Sequence, residues 1–383
     1  MSRVKKFVKK ETILVVSGLL ALLSCILVPP SAAYASYVNG RALILLFSLM
    51  TVVAGMQEAG FFHALSGWMI RRVSGVRGIA VSLVTLSFFL SMFLTNDVTL
   101  VTVVPFTILV FRDMGEERGN ALMMTLIMET VGANLGSMLT PFGNPQNLYL
   151  YSRYQFSMKA FLLLMLPYTL ISLALVLLGT LFTCGAGTKK KRSNRQSAKN
   201  NGENSPLMAN KIDTGKFIYF LILFLLCLLS VARVLDHRIL FVLVLAAVWI
   251  KEKKLLTRVD YSLLITFVFF FVFIGNLGNV TAVRSFLKEI VDGREVLTSV
   301  LASQVVSNVP AAILLSGFTE NGKALVIGTN LGGLGTLIAS MASLITYKFF
   351  AEEYGDRRLA YILRFSLVNV VLLLILGFWI LVF

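Results

Sequence analysis

Apolar runs close to the length of a bilayer crossing make up most of the chain, and they restrict its fold more than any other feature. Seven such runs cover residues 12–28, 41–55, 158–182, 217–233, 239–250, 261–277 and 359–383. Lipid offers no water to backbone N–H and C=O groups, so a spanning segment must be a helix or a strand of a closed barrel. A helical crossing takes about 17 to 25 residues, which fits most of these runs. With 57% hydrophobic residues, the chain is predicted to be an all-α integral membrane protein.

The net charge of +16 does not indicate nucleic-acid binding, because the basic residues lie in short segments between apolar runs, where they orient a membrane protein. The basic flank before residue 12 predicts a cytoplasmic N-terminus. The same segment resembles a secretory signal peptide, and its cleavage is an alternative interpretation. Three widely spaced cysteines (Cys25, Cys184 and Cys227) predict neither a disulfide framework nor a zinc site.

Two further apolar stretches are interrupted by polar residues in a way that predicts re-entrant hairpins. In "FLTNDVTLVTVVPF" (93–106), Asn96 and Asp97 lie at a depth where a charge costs a few kcal/mol. One helix over 78–111 would be about 50 Å long against a lipid core of roughly 30 Å, and the part after Asp97 is too short for a crossing of its own. The stretch 295–318, around "SNVP", also has halves that are too short to cross. We therefore expect hairpins at 78–111 and 295–318, with tips near the midplane.

The two halves of the chain resemble each other. The segment "GANLGSMLTPFGNPQNL" (132–148) aligns without a gap with "GTNLGGLGTLIASMASL" (328–344), and six of the 17 positions match. These segments interrupt two predicted broken spans, 120–151 and 323–349. An odd number of crossings between the aligned segments predicts that the two repeats, 1–184 and 217–383, have opposite orientation. The prediction has nine spans in all, with interfacial helices at 57–73 and 279–294. The linker 185–216 has eight Lys or Arg and two acidic residues, so it is predicted to be cytoplasmic.

Inverted repeats with interrupted segments indicate a secondary transporter with its site at the midplane. Each hairpin tip begins a helix, capped by Thr95, Asn96 or Asp97 in the first and by Ser307 or Asn308 in the second. Such helix starts attract anions. The candidate substrate-binding residues are Thr95, Asn96, Asp97, Thr140, Asn144, Ser307, Asn308 and Thr336. Glycine-rich breaks let carbonyls approach a cation, and the candidate coupling-ion residues are Asp97, Glu129, Asn134, Gly136, Gly143, Asn147, Asn330, Gly332 and Gly335.

Each of these residues has a structural alternative. The tip residues could be plain helix caps, and the glycines could serve close helix packing. Glu129 could be a protonated packing residue, a tie to a hairpin or a proton site. Asp97 is the predicted coupling carboxylate. The aromatic run "FVFFFVFIG" (267–275) is expected to face lipid.

The order of span, amphipathic helix, hairpin, broken span and span, repeated in the second half, resembles the ion transporter superfamily that contains arsenite permeases, NhaD-type antiporters and divalent-anion/sodium symporters. "TND" and "SNVP" stand where the symporters carry Ser-Asn-Thr tips, and "TPFGNPQNL" resembles the arsenite-permease branch. The resemblance, which extends to bacterial anion permeases, implies that Thr95, Asn96, Ser307 and Asn308 touch substrate. It also implies that the loops 134–147 and 330–336 bind coupling ions. Asp97 departs from the symporters' third-position Thr, and "LGTLIAS" lacks the Asn and Pro of the first loop.

The sequence therefore predicts a secondary active transporter of a small inorganic or organic anion or oxyanion, coupled to H⁺ or Na⁺ and working by alternating access. The alternative is a cation/proton antiporter, and a third is a membrane protein without transport activity. We expect no enzymatic activity, no cofactor and no metal other than Na⁺. The expected location is the inner cell membrane, with the C-terminus at Phe383 outside, and a homodimer is an open alternative.

Overall fold

The computed structural model describes residues 11–70, 73, 75–115, 120–184 and 212–382. Most of the linker predicted at 185–216 lies outside these residues, as do the N-terminal residues 1–10 and the C-terminal Phe383. All regular secondary structure in the described part is helical. The molecule is an all-α membrane protein, as predicted.

The first half of the described chain forms nine α-helices: α1 (Thr12–Leu27), α2 (Tyr34–Tyr37), α3 (Gly40–Glu58), α4 (Phe61–Ile70), α5 (Gly75–Leu90), α6 (Asn96–Asp113), α7 (Asn120–Gly136), α8 (Pro145–Arg153) and α9 (Met158–Thr183). The second half forms nine more: α10 (Thr214–Val231), α11 (His237–Glu252), α12 (Tyr261–Asn279), α13 (Thr281–Val291), α14 (Glu295–Val306), α15 (Asn308–Leu315), α16 (Gly322–Leu331), α17 (Met341–Glu353) and α18 (Arg358–Val382). Short 3₁₀ turns lie at Ser137–Leu139, Lys253–Arg258, Leu337–Ala339 and Gly355–Arg357.

Six helical stretches of the described residues are long and apolar enough to cross a membrane: Gly40–Glu58, Asn120–Leu139, Met158–Thr183, Thr214–Val231, Tyr261–Asn279 and Gly355–Ile380. The three other predicted spans correspond to shorter helices. Of these, α1 and α11 have 16 residues each, and the third is divided into α16 and α17.

Four elements form a central unit. Hairpin 1 is α5 with α6, hairpin 2 is α14 with α15, broken span 1 is α7 with α8, and broken span 2 is α16 with α17. In each half the first helix of the hairpin packs on the first helix of the broken span, α5 on α7 and α14 on α16. The second helices cross between the halves, so that α6 contacts α17 and α15 contacts α8. Each hairpin therefore touches both broken spans.

The remaining long helices surround this unit. Helix α12 packs along α1, and α3 packs along α10 and α11, which gives a scaffold built from both halves of the chain. The scaffold meets the central unit where α3 contacts α8 and where α12 contacts α15. Asparagine and aspartate side chains cap several of these helices; Asn39, for example, accepts the N–H of Ala42 at 3.0 Å at the start of α3.

Polar contacts identify two opposite faces of the molecule. On the face where the linker leaves and re-enters the described chain, the N–H of Asp213 bonds the carbonyl of Ala59 at 3.1 Å, and Arg112 pairs with Glu353 at 2.8 Å. We call this the linker face.

The opposite face is marked by a second set of contacts. Ser152 Oγ donates to Asn39 Oδ1 at 3.3 Å, and the hydroxyl of Tyr154 donates to the carbonyl of Thr319 at 2.8 Å. Arg41, at the start of α3, donates to a carbonyl of α10 here, and we call this the Arg41 face. The end of broken span 1 thus contacts hairpin 2 on this face, while hairpin 1 contacts the end of broken span 2 on the other.

Three side chains in the aromatic run 267–275 are buried, contrary to the prediction that this run faces lipid. Phe267, Phe270 and Phe271 have at most 5% of their surface exposed. Phe267 and Phe271 both contact the ring of Tyr149 on α8. Hydrophobicity does not separate lipid-facing from protein-facing positions in a membrane, because both surroundings are apolar.

Candidate functional site

Broken span 1 is interrupted just before Pro145. After α7 the chain makes a 3₁₀ turn at Ser137–Leu139, becomes extended at Thr140 and enters α8. Asn144 caps α8 by accepting the N–H of Asn147 at 2.9 Å, and Pro145 in the first turn has no N–H to leave unpaired. The amide of Asn147 lies 3.2 Å from the carbonyl oxygen of Thr140. This side chain therefore gives a hydrogen-bond partner to a backbone carbonyl that is not bonded within a helix because the helix is interrupted.

The two broken spans bond directly to each other at their breaks. Asn144 donates through Nδ2 to Asn330 Oδ1 at 3.0 Å, and Asn330 donates through Nδ2 to Asn147 Oδ1 at 2.6 Å. All three side chains are at most 3% exposed. Two predicted site segments more than 180 residues apart in the sequence therefore form one buried polar centre.

Asn134 makes the second connection between the same two breaks. Its Oδ1 accepts from Ser340 Oγ at 3.0 Å, and its Nδ2 lies 3.5 Å from Ser343 Oγ. We call the four residues Asn134, Asn144, Asn147 and Asn330 the asparagine junction. Every member is at most 4% exposed, so each amide needs partners within the protein or in a bound ligand.

The hydrogen bonds of the junction occur in equivalent pairs. The ungapped alignment of the halves pairs Asn134 with Asn330, Asn144 with Ser340 and Asn147 with Ser343. If each residue is replaced by its aligned counterpart in the other half, the Asn144–Asn330 bond becomes the Ser340–Asn134 bond. Both bonds are present, and both are 3.0 Å long. The same exchange converts Asn330–Asn147 into Asn134–Ser343.

The tip of hairpin 1 is attached to this centre through Asn96. The backbone N–H of Asn96 donates to the carbonyl of Gly143 at 3.1 Å, and its Nδ2 donates to Asn134 Oδ1 at 2.9 Å. Thr95 caps α6, with Oγ1 accepting the N–H of Val98 at 3.4 Å. Of the three alternative caps, the structure thus uses Thr95.

The tip of hairpin 2 has a different geometry. Ser307 adopts a φ of 75°, and its hydroxyl lies 3.4 Å from the carbonyl of Ala339. The predicted side-chain cap of α15 by Ser307 or Asn308 is not formed, because this backbone turns the hydroxyl toward broken span 2. Asn308 is 4% exposed and lies beside Gly333. No hydrogen bond in the described chain joins Asn308 to Asn96.

Thr140 and Thr336, which the alignment pairs, connect the breaks to the hairpins. Thr140 Oγ1 donates to the carbonyl of Met92 at 2.6 Å, and Thr336 Oγ1 lies 3.4 Å from the carbonyl of Gln304. Each threonine therefore faces the end of the first helix of its own hairpin. Thr140 is buried, and Thr336 is exposed.

Three glycines of the two breaks lie where the chain packs closely on itself. A methyl group at Gly136 would collide with the carbonyl oxygen of Phe88, and one at Gly332 with the hydroxyl of Ser303. Gly143 is similarly close to the carbonyl of Ser137. These contacts with the hairpins and within the break account for small residues here, which is the packing alternative.

Gly335, in the second break, has a backbone conformation that favours glycine. Its φ is +111°, and a side chain would meet Gln304. Gln304 donates through Nε2 to the carbonyls of Gly332 and Leu334 at 3.0 and 2.9 Å, and its Oε1 accepts the N–H of Thr336 at 2.9 Å.

Gln304, Ser340 and Ser343 belong to the candidate site by their hydrogen bonds and were not predicted from the sequence. A signal existed for the serines, since the alignment sets them opposite Asn144 and Asn147. Gln304 had only the weaker signal of a polar residue within the apolar "VLASQVV".

The two predicted carboxylates occupy different surroundings. Asp97 follows Asn96 in the first turn of α6 and is half-buried. Glu129 is fully buried; Thr107 donates to its Oε1 at 2.6 Å, and its Oε2 has no partner. In the part of the chain that the structure describes, neither carboxylate forms a salt bridge.

Comparison with known proteins identifies the family of the chain. The family model described as "Citrate transporter" matches residues 6–320, and the chain belongs to this family. An uncharacterized transporter of Methanocaldococcus jannaschii is 32% identical over 86% of this chain and 86% of its own length. The inner membrane protein YbiR of Escherichia coli is 31% identical over 88% of this chain and 85% of its own. The silicon efflux transporter LSI3 of Oryza sativa subsp. japonica is 32% identical over 38% of this chain and 29% of its own. The protein is thus a membrane transporter.

Proposed function

We propose that this member of the citrate transporter family is a secondary active transporter that moves a small anion or oxyanion, coupled to H⁺ or Na⁺. The asparagine junction and the two hairpin tips would form its binding site. The observation that carries the proposal is the junction itself, a cluster of buried amides where both broken spans and hairpin 1 meet. Buried polar groups at membrane depth are costly and mark solute pathways.

The direction of the surrounding helices supports an anion as the solute. Helices α6, α8, α15 and α17 all begin at this centre, near Asn96, Asn144, Asn308 and Ser340. A helix start carries roughly half a positive charge and free N–H donors. Helices α7 and α16 end there, which adds carbonyl oxygens suited to a coupling cation.

The names of the relatives are compatible with such a solute. The family description refers to citrate, and the rice relative is named for silicon efflux. Both names point to small oxygen-rich solutes, which amide N–H groups and helix starts bind well. We extend only this chemical class to the present chain.

The same contacts support an inverted repeat and alternating access. The paired hydrogen bonds of the junction, and the crossed packing of α6 on α17 and α15 on α8, are what an internal two-fold axis produces. The central unit would move against the scaffold, exposing the junction to each face in turn. With the basic linker in the cytoplasm, the linker face would be cytoplasmic and the Arg41 face external.

A second candidate function is cation/proton antiport. Asp97 and Glu129 favour it, because neither carboxylate forms a salt bridge in the described chain. A carboxyl group without a cation partner at membrane depth is a candidate for proton or Na⁺ binding.

Flux into proteoliposomes separates these functions. Anion/H⁺ or anion/Na⁺ coupling predicts uptake of a labelled anion driven by an imposed pH or Na⁺ gradient. Antiport predicts that a Na⁺ gradient alone acidifies or alkalises the lumen with no anion present. A thermal-shift screen of oxyanions and carboxylates on the purified protein would choose the labelled solute.

A further inference from the structure

A polar cavity lies between the scaffold and the central unit on the Arg41 face. Its volume is about 590 Å³, and it is lined by the segment before α3, by α8, by α12 and α13, and by the end of hairpin 2. It is separate from the asparagine junction, none of whose residues lines it.

Three arginines from different elements line this cavity, and we call it the arginine cavity. They are Arg41 at the start of α3, Arg153 at the end of α8 and Arg284 on α13, and the lining contains no aspartate or glutamate. Arg41 donates through Nη2 to the carbonyl of Ser230 at 3.0 Å. Its Nε is buried without a hydrogen-bond partner, so a donor is left over.

Two aromatic side chains lie at the inner end of the cavity, since they are the lining residues of α8 and α12 farthest from the Arg41 face. Tyr149 and Phe271 both line it, and their ring centroids are 5.4 Å apart. The hydroxyl of Tyr149 is hydrogen-bonded to Ser316 of hairpin 2 at 2.7 Å. Tyr149 belongs to the same helix, α8, whose first turn contains Asn147 of the junction. The contact between Tyr149 and Phe271 therefore joins the central unit to the scaffold.

We propose that the arginine cavity binds a small multivalent anion, and that it is the entrance to the asparagine junction from the Arg41 face. The second part rests on the proposed transport function. Guanidinium groups bind carboxylates and oxyanions through paired hydrogen bonds, and a cleft lined by one sign of charge concentrates ions of the opposite sign. Movement of α8 with the central unit would separate Tyr149 from Phe271 and open the floor of the cavity.

The binding part can be tested without measuring transport. Gly278 lines the cavity, and a side chain added there meets no atom within 4 Å. In the purified Gly278→Cys protein, we would compare the reaction rates of an anionic and a cationic methanethiosulfonate reagent of similar size. The reaction of the parent chain, in which Cys184 and Cys227 are buried and Cys25 is half-buried, is subtracted.

We expect the anionic reagent to be favoured, with a rate ratio about tenfold higher than in the same protein carrying Arg153→Gln and Arg284→Gln. Arg238→Gln is the matched control, since Arg238 is exposed at the start of α11 and does not line the cavity. It should leave the ratio unchanged. Millimolar citrate, used as a multivalent probe, should slow the labelling, and sodium chloride of equal ionic strength should not.

An unchanged rate ratio in the double arginine variant would overturn the proposal. Equal protection by citrate and chloride would do so as well, because it would reduce the effect to screening. Loss of anion flux on replacing a residue of the asparagine junction, as in Asn330→Ala, is a separate result that tests the proposed transport function. If the labelling follows the prediction but the protein shows no anion flux, the cavity still binds anions. Only its role as an entrance to the asparagine junction is then excluded.

Discussion

Asn144 and Asn330 share a hydrogen bond of 3.0 Å that joins the breaks of two helices from opposite halves of the chain. Neither break is stable alone at membrane depth, because each leaves backbone and side-chain groups that lipid cannot satisfy. In the structure each break supplies hydrogen-bond partners to the other. The two breaks thereby form the polar centre on which the proposed function depends.

The first prediction concerns this bond. Asn330→Ala removes one hydrogen-bond partner from each of Asn144 and Asn147, so we expect it to reduce the free energy of unfolding by about 1 to 3 kcal/mol. Asn369→Ala is the matched control, since Asn369 is also buried but donates only to a carbonyl of its own helix α18. Thermal unfolding of the two purified variants measures the difference. If Asn330→Ala and Asn369→Ala have equal melting temperatures, the junction adds no stability.

The second prediction concerns helix packing. Gly136→Ala places a methyl group against the carbonyl oxygen of Phe88, and we expect a loss of about 1 to 3 kcal/mol from overpacking. Gly377→Ala in α18 meets no atom within 4 Å and should be neutral or stabilise by up to about 1 kcal/mol. If both variants melt at the same temperature, close packing does not explain the glycine at 136.

The third prediction assigns the coupling. Asp97→Asn keeps the size of the side chain and removes its charge, so gradient-driven accumulation of the anion should be lost while exchange across the membrane persists. Glu129→Gln is compared in the same assay and separates the two candidate carboxylates. Accumulation by Asp97→Asn with the pH dependence of the unmodified protein would exclude Asp97 as the coupling residue.

The fourth prediction concerns orientation. The linker should be cytoplasmic and the C-terminus external, because five predicted spans, an odd number, follow the linker. A cytoplasmic reporter fused after Phe383 should therefore be inactive, and the same reporter inserted in the linker should be active. Activity at both positions would contradict the inverted repeat.

Much of the fold could be predicted from the sequence because apolar runs, charge distribution and polar interruptions are local properties of the chain. The breaks at Asn144 and Gly332 were found for this reason. The direct bond between the breaks was not predicted, since it depends on how distant helices pack. The burial of Phe267 and Phe271 was missed because lipid and protein select the same apolar side chains.

The structure brings the predicted segments together at the candidate site, but the bonds that their side chains make differ from those expected. Asn96 was expected to face substrate, and the structure bonds its amide to Asn134. Ser340 and Ser343 could have been found by assigning the role of each asparagine to its aligned partner. Gln304 could not, because its role depends on the irregular backbone of broken span 2.

Whether the asparagine junction and hairpin tips bind the transported solute is the central question. The direct measurement is the affinity of the purified protein for the anion selected by the thermal-shift screen, with the melting temperature of the same samples. Asn308→Ala should lower the affinity at least about tenfold, or 1.4 kcal/mol, with little change in melting temperature, because no cap is lost. Asn96→Ala should lower both, since it also breaks the bond to Asn134, and Asn369→Ala should leave the affinity unchanged. Unchanged affinity in both Asn96→Ala and Asn308→Ala would contradict the account and leave the tips as structural elements only.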